Sequence, residues 1–229
     1  MIADLDGTRI AYDLHGPAGA PPIVLLHGMG AASSGSSWDP VVADLGRDHR
    51  LVVPDLRGHG DSDRPGGYTL AEMADDVARL VDMLGIARAT VVGHSLGGLV
   101  AVNLALARPD LVGALVVEDS PPPRPAHWPP VDVTPPHRPG GPVSYDHDVR
   151  PAILREVDRR DPEWARRLGE ITVQTLVVGG TRSEIPQRRL ARMAARFVNG
   201  RMETVDAGHT IHAEAPQEFL AVLRGWLPD

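Results

Sequence analysis

The chain contains no cysteine. Disulfides, thiolate zinc sites and a cysteine nucleophile are excluded together. Lysine is missing too, so all 23 basic residues are arginine. A Schiff-base lysine and a phosphate-loop lysine are therefore ruled out. Aromatic residues are scarce, at 4%. Apolar runs are short, such as IVLL at 23–26 and LVV at 51–53. A membrane span needs about 20 consecutive apolar residues, so no membrane partner is expected. The first residues, MIADLDGTRIAYD, lack a basic head and an apolar core. They do not read as a secretory signal, and the cytoplasm is the expected compartment.

What is present is an average globular composition, 42% hydrophobic and 23% charged over 229 residues. One domain, 1–229, accommodates that length. The formal charge is 23 − 30 = −7. An acidic surface repels phosphate backbones, which argues against nucleic acid as a partner.

Short apolar runs alternate with helix-like segments, the signature of a parallel sheet with crossover helices. Strands are expected at 8–13, 23–28, 51–55, 90–94, 114–119, 175–180 and 202–206. Several are almost wholly apolar, as for strands covered on both faces. A helix is expected over 70–84. Leu70, Met73, Ala74, Val77, Leu80, Val81 and Leu84 share one face. Thr69 and Glu72 form a T-x-x-E capping box, and Gly85 stands where a left-handed cap residue would end the helix. A C-terminal helix is expected over 215–227. The segment 120–142 has ten prolines in 23 residues, SPPPRPAHWPPVDVTPPHRPGGP. It fits neither a helix nor a central strand. A helix-like stretch, 149–168, follows it. The insert 120–170 reads as a reduced cap over the strand ends.

The strongest chemical signal is VVGHSLGGLVA, 91–101. Its pentad Gly93-His94-Ser95-Leu96-Gly97 follows an apolar strand and precedes a helix, the context of a nucleophile elbow. So tight a turn strains the backbone at Ser95 and needs small neighbours at 93 and 97. It also brings the Leu96 amide to a helix N-terminus, where backbone donors favour negative charge.

A hydroxyl needs a base to become a nucleophile. His209 is the candidate, in VDAGHTIH just past the last expected strand and therefore at the same sheet edge as Ser95. His94 lies inside the elbow, His59 in the RGHGDS turn, and His127, His137 and His147 in the insert. His209 and His212 form an H-x-x-H pair, but no acidic partner is spaced to complete a metal site. No metal or organic cofactor is expected. The oxyanion of an acyl-transfer intermediate requires two amides. Leu96 supplies one and Met29, after the strand ending His27-Gly28, the other.

Residues 23–120, with LLHG, VVPDLRGHGDSDRP, VVGHSLGG and ARPDLVGALVVED, resemble the α/β-hydrolase superfamily, and VDAGHTIHAEAPQEFLAVLRGWL fits as well. The resemblance implies an α/β-hydrolase fold, with a central eight-stranded, mostly parallel sheet and the order serine, acid, histidine. Most members place the acid after the seventh strand, in a pattern like G-x-x-D. Here GGTRSEIPQ (179–187) puts Ser183 at that position, with Glu184 one residue off. A subset carries the acid after the sixth strand instead, which in this chain is Glu118. Glu118 is the first choice, Glu184 the alternative, and Asp119 stands behind them. Asp55 reads as a carboxylate that organises the PDLRGHGDS loop.

A serine at the elbow, where related epoxide hydrolases and dehalogenases use aspartate, implies acyl transfer to water. The expected function is hydrolysis of a small ester, thioester or lactone. A ligand-binding protein without catalysis and a cofactor-free perhydrolase are the alternatives. Trp38, Trp128, Trp164 and Tyr145 are the aromatics available to a substrate pocket, with core packing favoured for Trp164 and Trp226.

Overall fold

The computed structural model describes residues 1–30, 34–120, 122, 144–158 and 162–227. His127, His137, Trp128 and most of the Pro-rich segment lie outside them. Eight strands form one sheet: β1 (Ile2–Leu5), β2 (Thr8–His15), β3 (Pro22–Leu26), β4 (Arg50–Pro54), β5 (Ala89–His94), β6 (Val112–Glu118), β7 (Gln174–Gly180) and β8 (Asn199–Val205). Their order is β1-β2-β4-β3-β5-β6-β7-β8. β1 and β2, and β2 and β4, pair antiparallel, and every other pairing is parallel. All seven expected strands are present within a few residues, and β1 is the eighth.

The helices are α1 (Asp39–Leu45), α2 (Leu70–Met83), α3 (Leu96–Ala107), α4 (Val149–Val157), α5 (Pro162–Arg167), α6 (Gln187–Ala194), α7 (Ile211–Glu214) and α8 (Pro216–Arg224). Alternation along the strands sorts the core into two layers. Val24, Leu26, Val52, Val91, Leu115, Val117 and Val177 pack with α2, α3 and α6 on one face. Ile23, Leu25, Leu51, Val53, Val92, Val116 and Val178 pack with α1, α7 and α8 on the other.

α2 is half apolar and shows how the sequence builds such a layer. Thr69 Oγ1 accepts from the Glu72 amide at 3.1 Å, and Glu72 accepts from the Thr69 amide at 2.9 Å, so the capping box forms. Gly85 has φ +65° and ends the helix. Leu70, Met73, Leu80 and Val81 are buried between. Each such aliphatic side chain contributes about 1.5–3 kcal/mol when fully covered. α3 differs, being apolar on all sides and buried over most of its length, as a central helix must be.

The stretch 149–168 is not one helix but two, α4 and α5, with undescribed residues between them. The described base of the insert rests on the loop after β4 and on the start of α2. Gly60 donates its amide to Ser144 O at 2.7 Å, and Tyr68 donates to Asp146 at 2.6 Å. The Leu70 amide donates to Glu156 at 2.9 Å.

Candidate active site

Ser95 stands between β5 and α3 with φ +51° and ψ −112°. A non-glycine residue there is strained, and the surroundings enforce it. Its amide donates to Glu118 O at 2.9 Å, and its carbonyl accepts from Ser120 Oγ at 2.8 Å. A Cβ at Gly93 would stand 2.3 Å from Gly97 O, and one at Gly97 would stand 2.1 Å from Leu26 O. Both small residues of the pentad are thus required by close backbone approach. Gly98 is as constrained, because its Cβ would meet Ser120 Oγ at 1.9 Å.

His209 follows β8. Its Nε2 lies 3.1 Å from Ser95 Oγ and its Nδ1 2.7 Å from Asp119 Oδ2. Nδ1 therefore donates to the carboxylate, and Nε2 is left to receive the hydroxyl proton. Asp119 is buried, whereas the His209 ring is 45% exposed. The hydrogen bond to Asp119 raises the His209 pKa above its ordinary value; burial opposes this, and the charges of Asp119, Glu118 and Glu184 reinforce it.

The acid beside His209 is thus Asp119, not Glu118, which corrects the first choice of the sequence. Glu118 is the last residue of β6 and shares the face of Val116, pointing into the second core layer. There it accepts from the His212 amide at 2.9 Å and from His212 Nδ1 at 2.8 Å. Asp119 lies one residue beyond the strand and has φ +41°. Its Oδ1 accepts from the Gly180 amide at 3.2 Å, and Oδ2 also accepts from the Ser183 hydroxyl. Glu184 is exposed and touches His209 only through its field. Alternation along β6 could not separate the two carboxylates, because Val116 packs in one core layer and Val117 in the other.

The bend after β3 lies against the elbow, since a Cβ on Gly28 would stand 3.5 Å from Ser95 Cβ. Met29 follows it, and Leu96 is the first residue of α3. His27 fixes this bend. Its Nδ1 donates to Gly28 O at 2.6 Å, and its Nε2 accepts from the Leu56 amide at 2.9 Å. Complete burial lowers the His27 pKa to about 3, so the ring stays neutral and keeps that tautomer. Asp55 organises the neighbouring loop, accepting from the Gly35 amide at 2.7 Å and the Asp61 amide at 2.9 Å.

Trp38 does not line an open pocket. It is fully buried in the second layer and stacks on His212 with ring centroids 3.9 Å apart. Trp164 and Trp226 pack half-buried against the two layers. Tyr145 stacks on His59 at 5.8 Å. Among the described residues no group of three histidine or acidic side chains is arranged to hold a metal ion, and no helix is long and apolar enough to cross a membrane.

The chain belongs to the alpha/beta hydrolase fold family, whose model matches residues 21–141. A putative carbamate hydrolase, RutD of Caulobacter vibrioides, is 43% identical over 118 residues, covering 51% of this chain and 43% of that protein. The chain thus matches less than half the length of this relative. Among solved structures, Est816, described as an N-acyl homoserine lactone degrading enzyme, is 27% identical with a TM-score of 0.79, over 99% of this chain and 100% of that one. An enol-lactonase from Burkholderia xenovorans LB400 is 26% identical with a TM-score of 0.85, over 98% of both chains.

Proposed function

We propose that this chain is a serine hydrolase that cleaves a small ester, thioester or lactone through an acyl-enzyme. The observation that carries the reading is the continuous line Asp119, His209, Ser95, joined at 2.7 and 3.1 Å and ending on a strained serine. Ser95 Oγ attacks the acyl carbon while His209 Nε2 takes the hydroxyl proton. The carbonyl oxygen becomes an oxyanion, held by the Met29 and Leu96 amides. One such donor is worth about 3 kcal/mol of barrier. Collapse expels the alcohol or thiol, which leaves with the proton from His209. Water, deprotonated by the same ring, then attacks the acyl-enzyme, releases the acid and restores the Ser95 hydroxyl. Asp119 keeps Nδ1 protonated throughout and offsets the imidazolium charge.

The lactone-cleaving names of the similar structures support the substrate class, and the carbamate name of the sequence relative describes a carbonyl open to the same attack. Ser95 is half-buried and His209 exposed, so the reacting pair is reachable from solvent. A chromogenic short-chain ester and a γ-lactone panel test the reading. Wild-type protein should turn over at least one of them and be labelled at Ser95 by a fluorophosphonate, and Ser95→Ala should lose both. Turnover surviving in Ser95→Ala, or no labelling of wild type, would overturn it in favour of a non-catalytic ligand-binding protein.

A further inference from the structure

The mechanism uses Asp119 but leaves its neighbour unexplained. Glu118 is a completely buried carboxylate, and among the described residues its side-chain partner is a completely buried histidine, His212. Taking a carboxylate out of water is costly unless hydrogen bonds compensate it. An apolar pair would fill the same space in a layer made of Val116, Val178, Ile211 and Phe219.

The geometry around the pair is specific. Glu118 on β6 and His94 on β5 are registered neighbours at the carboxyl edge of the sheet. Glu118 accepts from the backbone amide and Nδ1 of His212. His94 Nε2 donates to the backbone carbonyl of His209 at 3.0 Å. The segment 209–212 is therefore tied at both ends to two adjacent residues of the central strands. Glu214 of α7 holds the same loop from the other side, accepting from the Gly208 amide at 2.8 Å and the Thr210 amide at 3.3 Å. His212 Nε2 meets no partner among the described residues, so its proton resides on Nδ1, facing Glu118.

We propose that Glu118 is a positioning residue for hydrolysis: through His212 it holds the His209 loop in register with Ser95, and its buried charge supports the imidazolium. The proposal rests on the catalytic reading of Ser95, His209 and Asp119. Burial raises the Glu118 pKa, but the neighbouring His212 and His94 and the His212 hydrogen bonds outweigh it and leave the net shift downward. The carboxylate is thus the ionised form at neutral pH. The titratable groups around the His209 loop are Glu118 at the end of β6, Asp119 just beyond it, Glu184 from the loop after β7, His94 from β5, and His212 and Glu214 from α7. Removing one negative charge from that set lowers the His209 pKa and loosens its loop.

The test compares wild type, Glu118→Gln, His212→Asn, His212→Ala and Ser95→Ala on one chromogenic ester, with thermal melts of each. Glu118→Gln should lower kcat about 10- to 100-fold with KM within about twofold, and move the acid limb of kcat/KM to lower pH. His212→Asn, whose amide can donate where Nδ1 does, should retain at least about tenfold more kcat than His212→Ala at equal fraction folded. Wild-type kcat and an unmoved acid limb in folded Glu118→Gln would overturn the proposal. If Glu118→Gln does not fold, equal rates in the two His212 variants overturn it instead. A dead Ser95→Ala beside a wild-type-like Glu118→Gln removes only the positioning role, whereas an active Ser95→Ala removes the catalytic reading beneath it.

Discussion

The Ser183 hydroxyl donates to Asp119 Oδ2, the same oxygen that accepts from His209 Nδ1. Ser183 occupies the position after β7 where most of the resembling proteins carry their acid. The carboxylate beside His209 here follows β6, and Ser183 steadies it by this hydrogen bond. Asp119→Asn would present an amide N–H or a neutral oxygen to Nδ1 and release the ring from its tautomer. We expect kcat to fall about 10⁴-fold with little change in KM. Asp119→Ala should fall comparably, and adding Ser183→Asp should recover at least tenfold by returning the acid to the other strand. Steady-state ester kinetics decide this, and a loss below tenfold in Asp119→Asn would remove Asp119 from the mechanism.

The rate should have an acid limb set by His209. Its protonated ring cannot take the Ser95 proton, so activity rises with pH and is lost as pH falls through the His209 pKa. The Asp119 hydrogen bond lifts that pKa above the ordinary histidine value of about 6.5. The midpoint of kcat/KM is therefore expected on the alkaline side of about 6.5, and in Asp119→Asn the residual activity should titrate lower. A limb centred well below the ordinary value in wild type would contradict the observed pairing.

These relationships were unequally legible in the sequence. The strands buried on both faces announce themselves because both sides of each must be apolar, and the elbow because Gly93 and Gly97 flank a serine between a strand and a helix. Ser95 and His209 follow from strand order alone, since parallel strands end at one edge. β1 escapes notice because IADL is four residues long and offers too little alternation. The choice between Glu118 and Asp119 depends on a backbone turn, the positive φ of Asp119, for which no glycine or asparagine gives warning. Trp38 reads as a loop aromatic, yet the stack it forms with His212 is created by tertiary contact with α7.

Gly97 sits where α3 crosses the end of β3. A Cβ there would meet Leu26 O at 2.1 Å and His27 O at 2.7 Å, both backbone atoms that cannot swing aside. Gly97→Ala should destabilise the fold by about 1–3 kcal/mol, the range for overpacking a close contact. It should also reduce ester turnover by displacing Ser95. Gly19→Ala is the control, because nothing lies within 4 Å of its would-be Cβ. A thermal melt in which the two variants match would refute the steric account.

Arg57 anchors the loop after β4 to α2. Its Nε donates to Asp76 Oδ2 at 2.5 Å and its Nη2 to Oδ1 at 2.7 Å, a bidentate pair whose side chains are 10% and 6% exposed. Nη1 also donates to Gly67 O at 3.3 Å and approaches Glu72 at 3.4 Å. Burial lowers the Arg57 pKa, but the Asp76 hydrogen bonds and charge outweigh it and raise it overall, so the guanidinium stays charged. Asp76→Ala strands that charge in a covered site, and the expected loss is about 3 kcal/mol in urea unfolding. In the Arg9–Asp63 pair, Nε and Nη2 both donate to Oδ1, at 3.2 and 2.9 Å, and the arginine side is exposed, so Asp63→Ala should change stability far less. The comparison sets a buried fork against an exposed and looser pair. Equal losses in the two variants would mean that the Arg57 pair is no more sheltered from water than the Arg9 pair.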